Sequence, residues 1–387
     1  MKLRRIVVLP LLLGLLAAGG QQLAETPRKA APTVSGRVFL DANANGRFDE
    51  GEKPLPGVRV TDGADFVLTQ ADGSYKITIS DDQLIPMVSS RVVSVSWPSG
   101  KWPTGAWWRR VGDLKPDESA DFGLRDDEQK LPFKFVHGTD NHDAGTSQFS
   151  ANFRQDVKKQ GETVKFAVIT GDLLYADNPA SYEAVEKQYR NMAEHVRTFP
   201  VPMFCTPGNH DLAATHPASE LDKQHPLYAL GAYTKYIGPV RWSFDYAGVH
   251  FVGLDWTRLV GAQYDEGVSD AAAAWLAKDL KGLKKGTRIL LFVHYPTGED
   301  GFWAVAVEHK VEQIFAGHEH FGKRLTHMGI PAVAGRNLNG PYKLVTIKET
   351  GMAIVDRCTG CKLEDPKQLH LRRCPFWTKP AETRPSK

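Results

Sequence analysis

PMFCTPGNHD, residues 202–211, is a short apolar run that ends at a glycine and then presents an amide, an imidazole and a carboxylate in succession. The same arrangement, a strand-like apolar run followed at once by ligand-type residues, recurs four times between residues 133 and 320. Residues 134–138 precede Thr139-Asp140-Asn141-His142, 165–170 precede Gly171-Asp172, 288–293 precede His294-Tyr295-Pro296, and 311–316 precede Gly317-His318-Glu319-His320. One such cluster is common by chance, but five in one segment indicate a built site.

Helical stretches lie between these runs. Residues 180–197 and 271–283 have the pattern of helices, so strands and helices alternate along the segment. This alternation is typical of α/β folds, which bind ligands beyond the carboxyl ends of their strands. We therefore expect the five polar clusters to converge at one edge of the fold.

The candidate metal ligands are two aspartates, one asparagine and four histidines, namely Asp140, His142, Asp172, Asn209, His294, His318 and His320. Mixed nitrogen and oxygen donors suit zinc, manganese or iron better than calcium or an all-sulfur site. The set is too large for one ion and sufficient for two if one carboxylate bridges them. Two ions about 3.5–4 Å apart form a clamp suited to in-line displacement at phosphorus.

The order of the five clusters resembles that of calcineurin-like metallophosphoesterases over about residues 133–350. The resemblance implies an α/β fold, an αββα four-layer sandwich of two facing mixed sheets. It also implies a role for each ligand: Asp140, His142 and His320 at the first ion, Asp172 bridging, and Asn209, His294 and His318 at the second. His210 would bind no metal and would face the substrate as its proton donor or as a ligand of the phosphate.

One position departs from the protein Ser/Thr phosphatase branch of that family. That branch has an aspartate three residues after the bridging aspartate, where this sequence has Tyr175. The histidine–aspartate pairing and the phosphoprotein specificity of that branch are therefore not expected to carry over. Whether Asp211 orients the neighbouring His210 stays open on the sequence alone.

Residues 33–125 predict a small all-β sandwich domain that resembles Ig-like and SdrD-B-like modules. Alternating short runs at 35–40, 58–60, 75–79 and 92–97 indicate its strands, and no segment has a helical period. Its loop places oxygen ligands at the positions of an EF-hand calcium loop: Asp41, Asn43, Asn45, Arg47 (through its carbonyl), Asp49 and Glu52. The flanks are strands rather than helices, so calcium and a plain polar hairpin loop remain equal alternatives.

Four tryptophans of the same region, Trp97, Trp102, Trp107 and Trp108, form a second feature of the module. They could form an exposed binding surface for a sugar or a partner. Alternatively, they could form a hydrophobic core at the boundary between the two domains, and we favour this core.

The two ends of the chain have compositions of their own. Residues 1–20 combine Lys2, Arg4 and Arg5 with a short apolar run, which is typical of a cleaved export signal and too short for a comfortable membrane anchor. A Pro/Ala-rich linker follows at 21–32. Residues 357–387 form a basic tail with three cysteines, which favours a disulfide over a Cys3His zinc site because export favours oxidation.

The overall charge limits the class of partner. The formal net charge is +3, and the basic residues concentrate at the two ends of the chain. No broad basic field is left for a nucleic-acid groove.

Together these features predict an exported dinuclear-metal phosphoesterase, periplasmic or extracellular, with its catalytic domain at residues 130–356. A metal-bridging hydroxide would attack the phosphorus of a small-molecule, lipid or envelope-polymer ester, with His210 assisting the leaving group. Diesters are favoured slightly, because no basic cluster is available to hold a dianionic monoester. The alternative is a cell-surface or carbohydrate-binding protein with a structural metal centre and no turnover.

Overall fold

The computed structural model describes residues 31–260, 263–295, 300–320, 322–336 and 341–358. The predicted signal segment and nearly all of the predicted linker and cysteine tail lie outside these residues. The helices of the described part are α1 (Gln148–Gln160), α2 (Tyr182–Arg197), α3 (Gly231–Tyr236), α4 (Asp270–Lys281) and α5 (Asp300–Glu308). Among them, none combines the length and the apolar character that crossing a bilayer requires.

The described strands fall into two groups along the chain. Before residue 130 they are β1 (Thr33–Leu40), β2 (Lys53–Pro54), β3 (Arg59–Thr61), β4 (Phe66–Leu68), β5 (Ser74–Thr78), β6 (Val92–Ser96), β7 (Lys101–Pro103), β8 (Trp108–Arg110) and β9 (Phe122–Asp126). After it they are β10 (Phe133–Gly138), β11 (Val164–Thr170), β12 (Met203–Thr206), β13 (Trp242–Tyr246), β14 (Val249–Gly253), β15 (Thr257–Val260), β16 (Gln263–Glu266), β17 (Arg288–Phe292), β18 (Gln313–Ala316), β19 (Arg324–His327), β20 (Ile330–Ala334), β21 (Pro341–Ile347) and β22 (Met352–Cys358).

The N-terminal strands form two sheets. One has the order β2-β1-β9-β7 with β5 also paired to β1, and the other has the order β4-β3-β6-β8. Alternate residues of these strands are apolar and buried in one shared cluster, including Val38, Val60, Ile77, Val93 and Phe122. Alternation of this kind places one face of each sheet in the core, as the sequence predicts for a β-sandwich.

The later strands form two larger sheets that face each other. The first has the order β12-β11-β10-β21-β22, and the second has the order β13-β14-β17-β18-β20-β19. Strands β10, β11 and β12 are mutually parallel, and so are β14, β17, β18 and β20. The two sheets share an aromatic core that includes Phe135, Phe166, Phe251, Phe292 and Phe315.

The helices cover the outer faces of these two sheets. Phe153 of α1 and Tyr189 of α2 pack against Ile169 on the outer face of the first sheet. Trp275 of α4 and Phe302 of α5 pack against the outer face of the second sheet. This layering confirms the predicted αββα four-layer sandwich.

The sequence predicts two of the three longest described helices and misses the third. The predicted helices at 180–197 and 271–283 are α2 and α4, each beginning after a serine whose hydroxyl accepts a backbone N–H of the first turn. Helix α1 was not predicted, because only Ser150, Phe153 and Val157 of its residues are buried. The sequence likewise predicts no strand for the two short segments that pair as the hairpin β15–β16.

The sandwich and the αββα region share one interior, and the described residues from Pro32 to Cys358 belong to one compact unit. Trp97 is buried and stacks on Phe244 with ring centroids 4.9 Å apart. The indole N–H of Trp275 in α4 donates to Thr61 Oγ1 of β3 at 2.8 Å. The structure therefore supports the core interpretation of the tryptophan cluster for Trp97.

A buried charge cluster lies where the two regions meet. The ring nitrogens of His250 lie 2.6 Å from Asp245 Oδ1 and 2.8 Å from Asp279 Oδ2. Arg59 of the sandwich also lies 2.9 Å from the Asp279 carboxylate. Burial alone would lower the pKa of His250, but the Asp279 and Asp245 carboxylates raise it to about 9.

This cluster predicts a pH-dependent contribution to stability. Because the pKa of His250 is raised on folding from about 6.5 to about 9, the contribution is complete below about pH 6.5 and is lost as the pH rises through 9. We expect the stability advantage of the wild type over His250→Gln to shrink between pH 6.5 and pH 9. Urea unfolding followed by tryptophan fluorescence at both pH values measures it.

The matched control for that experiment is His327→Gln, which changes an exposed histidine of β19. An advantage of the wild type over His250→Gln that is equal at both pH values would contradict the ion pairing of His250.

Candidate metal centre

The five polar clusters meet at one edge of the two facing sheets. Asp140 and His142 follow β10, Asp172 follows β11 and Asn209 follows β12, all from the first sheet. His294 follows β17, and His318 and His320 follow β18, from the second sheet. Because these strands run parallel within each sheet, their carboxyl ends bring every predicted ligand to the same edge.

The first group of possible ligands joins the two sheets. Donor atoms of Asp140, His142, Asp172 and His320 all lie within 4.8 Å of one another. His320 Nε2 lies 3.0 Å from Asp140 Oδ1 and 3.3 Å from His142 Nε2. His142 Nε2 in turn lies 3.7 Å from Asp172 Oδ2.

The second group shares Asp172 with the first. Donor atoms of Asp172, His294 and His318 lie within 4.8 Å of one another. His294 Nε2 lies 3.2 Å from Asp172 Oδ2 and 3.3 Å from His318 Nδ1. Asn209 Oδ1 lies 3.1 Å from the same nitrogen of His318, which places the amide in this group. Asp172 is thus the residue common to both groups.

The backbone of this edge adopts an uncommon conformation. The residues Asp140, His142, Asp172, His318 and His320 have φ values of 54°, 55°, 51°, 67° and 54°. This left-handed region costs a residue with a side chain about 1–3 kcal/mol and persists only where the surrounding structure enforces it. The sharp turn that each residue makes directs its side chain from the strand end into the site.

Two glycines of the motifs are required by close approach. A Cβ on Gly208 would lie 2.3 Å from Asp172 Oδ1, and a Cβ on Gly317 would lie 2.6 Å from Asp140 Oδ2. Any side chain at either position would displace an aspartate of the site. These two glycines, which precede Asn209 and His318, therefore keep space for the carboxylates.

Hydrogen bonds fix the orientation of the ligand groups. His294 Nδ1 donates to the carbonyl oxygen of Thr170 at 2.7 Å, which leaves Nε2 as the ring nitrogen that faces Asp172 and that a metal ion would use. The hydroxyl of Thr139 and the backbone N–H of His318 both donate to Asp140. Such outer contacts hold imidazole and carboxylate in the geometry that a metal ion needs.

The electrostatics of the site favour cations. Burial alone would raise the pKa of Asp172, but the imidazoles of His294, His210 and His142 lower it below its usual range. Asp140 and Asp172 are both almost fully buried, and a buried carboxylate requires compensation by positive charge or hydrogen bonds. Two carboxylates, one amide and four imidazoles at these distances fit divalent metal ions with mixed nitrogen and oxygen ligands.

His210 lies beside these groups, next to an aspartate that the sequence does not predict as its partner. Its backbone N–H donates to Asp172 Oδ1 at 3.0 Å, and its Nδ1 lies 3.1 Å from Asp177 Oδ1. Burial would lower the pKa of His210, but the Asp177 and Asp172 carboxylates raise it above its usual value. Asp177 stands five residues after Asp172, two beyond the expected position, and this spacing hid it.

Asp211, the other candidate partner of His210, has a structural role instead. Its carboxylate accepts the backbone N–H groups of Leu173 at 2.9 Å and Gly208 at 2.8 Å. It therefore joins the turn after β11 to the turn after β12. This contact settles the question that the sequence left open, because the Asp211 carboxylate is engaged with the backbone rather than with the His210 ring.

The predicted calcium loop has its oxygens engaged within the loop. Asp41 accepts the backbone N–H groups of Asn45 and Gly46, and Glu52 accepts those of Ala42 and Asp49. The amides of Asn43 and Asn45 both donate to Asp49 Oδ2, and Arg47 N donates to Asn45 Oδ1. Calcium binding at this loop stays a prediction.

Comparison with known proteins gives two matching family models. Residues 133–322 match calcineurin-like phosphoesterase, and residues 42–127 match the N terminal of calcineurin-like phosphoesterase. The chain is also 27% identical over 169 residues to a curated protein of Arcobacter nitrofigilis named "Probable glycerophosphodiester phosphodiesterase GpdQ". That match covers 40% of this chain, and the chain spans 55% of the length of this relative.

The similar solved structures include the following two, both at low sequence identity. GAP50, the anchor in the inner membrane complex of Plasmodium, matches with a TM-score of 0.42 and 14% identity over 60% of this chain and 86% of that one. A candidate 5'-nucleotidase of Staphylococcus aureus matches with a TM-score of 0.39 and 13% identity over 59% of this chain and 53% of that one.

The position of Asp172 between the two ligand groups predicts the effect of its removal. We expect Asp172→Ala to lose both ions, because its Oδ2 lies 3.2 Å from His294 Nε2 and 3.7 Å from His142 Nε2. Loading with Mn²⁺, gel filtration and elemental analysis give the number of ions per chain.

Two further variants complete that experiment. His320→Ala, which removes a donor from the first group only, is expected to lose one ion, and Asp126→Ala, which removes an exposed carboxylate of β9, is expected to keep both. Retention of two ions by Asp172→Ala would contradict the shared role of this carboxylate.

Proposed function

The chain belongs to the calcineurin-like phosphoesterase family, and from this membership and the geometry of its site we propose that it is a metal-dependent phosphodiesterase with two metal ions. The observation that carries the proposal is the position of Asp172, which lies in both ligand groups at once. A shared carboxylate is what a dinuclear centre needs, because it holds two like-charged ions close together.

Each ligand group holds one ion in this proposal. Asp140, His142 and His320 would hold one ion, Asn209, His294 and His318 would hold the other, and Asp172 would serve both. When bound, the two ions activate water as a nucleophile and neutralise the charge that develops on the phosphoryl oxygens.

The residues of the chain supply positioning and proton transfer. Asp140 and Asp172 are held by backbone N–H groups of His318 and His210, so their carboxylates stay in place while substrate binds and leaves. His210 is partly exposed beside the site and donates a proton to the leaving oxygen. The nearby Asp177 carboxylate orients the His210 ring and stabilises its charged form.

Diesters are the favoured substrates. The side chains that meet at the site carry imidazole, carboxylate, amide and phenol groups. A dianionic monoester calls for arginine or lysine beside the phosphate, whereas a diester carries one charge fewer. The name of the Arcobacter relative also supports diesters, since it describes a phosphodiesterase.

Export is part of the proposal and is supported by the sequence. The basic residues Lys2, Arg4 and Arg5 followed by a short apolar run favour a secretory signal. The substrate is then a small molecule, a lipid or an envelope polymer outside the cytoplasm.

Hydrolysis of two chromogenic esters tests the activity. We expect the Mn²⁺-loaded protein to hydrolyse bis-p-nitrophenyl phosphate with a higher kcat/KM than p-nitrophenyl phosphate. A chelator is expected to abolish both activities, and Mn²⁺ is expected to restore them. A protein that binds two ions and hydrolyses neither ester would favour the alternative of a binding protein with a structural metal centre.

The role of His210 predicts a dependence on the leaving group. Loss of a general acid costs about 10²–10⁴-fold, so His210→Ala should lower kcat by such a factor for an alkyl leaving group. The loss should be smaller for p-nitrophenolate, which leaves without a proton. Asp177→Asn should also lower kcat more for the alkyl leaving group than for p-nitrophenolate. Its losses of kcat should be smaller than those of His210→Ala, because Asp177 acts through His210.

Steady-state rates with ethyl p-nitrophenyl phosphate and diethyl phosphate measure this dependence, with Asp126→Asn as the matched aspartate control. An unchanged rate of His210→Ala on the dialkyl ester would remove His210 as the acid.

A further inference from the structure

Tyr175 is an exposed aromatic residue fixed beside the two histidines that flank the reaction site. Its ring stacks on His142 with centroids 4.5 Å apart and an interplanar angle of 14°. The same ring meets His210 edge to face at 4.9 Å. The residue nevertheless exposes 52% of its surface.

The backbone at Tyr175 is held in place. Its N–H donates to Gln188 Oε1 at 3.3 Å, and its carbonyl accepts from Gln188 Nε2 at 2.9 Å. The next N–H along the chain, that of Ala176, donates to the carbonyl of His210 at 2.8 Å. Helix α2, which carries Gln188, and the turn that carries His210 thus fix Tyr175 from both sides.

The location of Tyr175 relates it to one part of the substrate. In the proposed function His210 protonates the leaving oxygen, so the leaving group lies against His210. The Tyr175 ring contacts His210 directly, and His142 covers one face of the Tyr175 ring. The remaining exposed surface is therefore an apolar aromatic surface next to the leaving group.

We propose that Tyr175 is a specificity-determining residue that favours phosphodiesters whose leaving group carries a planar ring. This inference rests on the proposed function and adds to it the chemical class of the leaving group. A planar ring gains from contact with a fixed aromatic side chain, because little conformational entropy is lost on binding. An aliphatic leaving group gains less from the same surface.

Two diesters with leaving groups of similar acidity test the inference. Methyl phenyl phosphate releases phenol, which is a planar ring, and methyl hexafluoroisopropyl phosphate releases an aliphatic alcohol. The measured quantity is the ratio of kcat/KM for the phenyl ester to kcat/KM for the alkyl ester. Because both values come from one enzyme preparation, any loss of metal or of folded protein cancels in the ratio.

We expect Tyr175→Leu to lower this ratio by about 2- to 12-fold, the range that corresponds to an aromatic pair. Tyr175→Phe keeps the ring and is expected to keep the ratio. An equal loss on both esters would overturn the inference and leave Tyr175 as support for His142 alone. A wild-type enzyme that hydrolyses neither ester would overturn the proposed function and this inference with it.

Discussion

The carboxylate of Asp172 is the contact on which the arrangement of the site depends. It faces His142 of the first sheet and His294 of the second, and it accepts the N–H of His210 from the turn after β12. A buried carboxylate is costly unless opposite charge or hydrogen-bond donors surround it. The imidazoles, the backbone donors and the space beside Gly208 all serve to hold this one charge where the two ligand groups meet.

The fold supplies the rigidity that the site requires. Five candidate ligand residues adopt a left-handed backbone, and strain of this kind persists only where neighbouring structure enforces it. The strands that precede them are anchored by the packed aromatic core between the two sheets. The turns are further joined to each other, as Asp211 joins the turns after β11 and β12. The site is therefore strained locally and supported by well-packed strands.

The sequence predicts what is local and misses what depends on the meeting of distant segments. Each candidate ligand, such as Asp140 or His318, comes shortly after an apolar strand. Its position at the edge of a sheet therefore follows from the alternation of strands and helices alone. Asp177 is not predicted as a partner of His210 for two reasons. The two residues lie on different turns, and Asp177 stands farther from Asp172 in the sequence than the corresponding aspartate of the phosphatase pattern. Tyr175 was noticed only as a departure from that pattern. Its exposure and its contact with His142 are properties of the fold and have no signal in the linear order.

The shared interior of the sandwich and the αββα region has a consequence for how the protein can be divided. Trp97 stacks on Phe244, and Arg59 reaches the buried carboxylate of Asp279 across the boundary. A fragment that began at Phe133 would expose aromatic rings to water and leave Asp279 without one of its cations, so it would be prone to aggregate. The N-terminal sandwich consequently covers part of the hydrophobic core of the αββα region. The smallest unit that folds on its own therefore contains both regions.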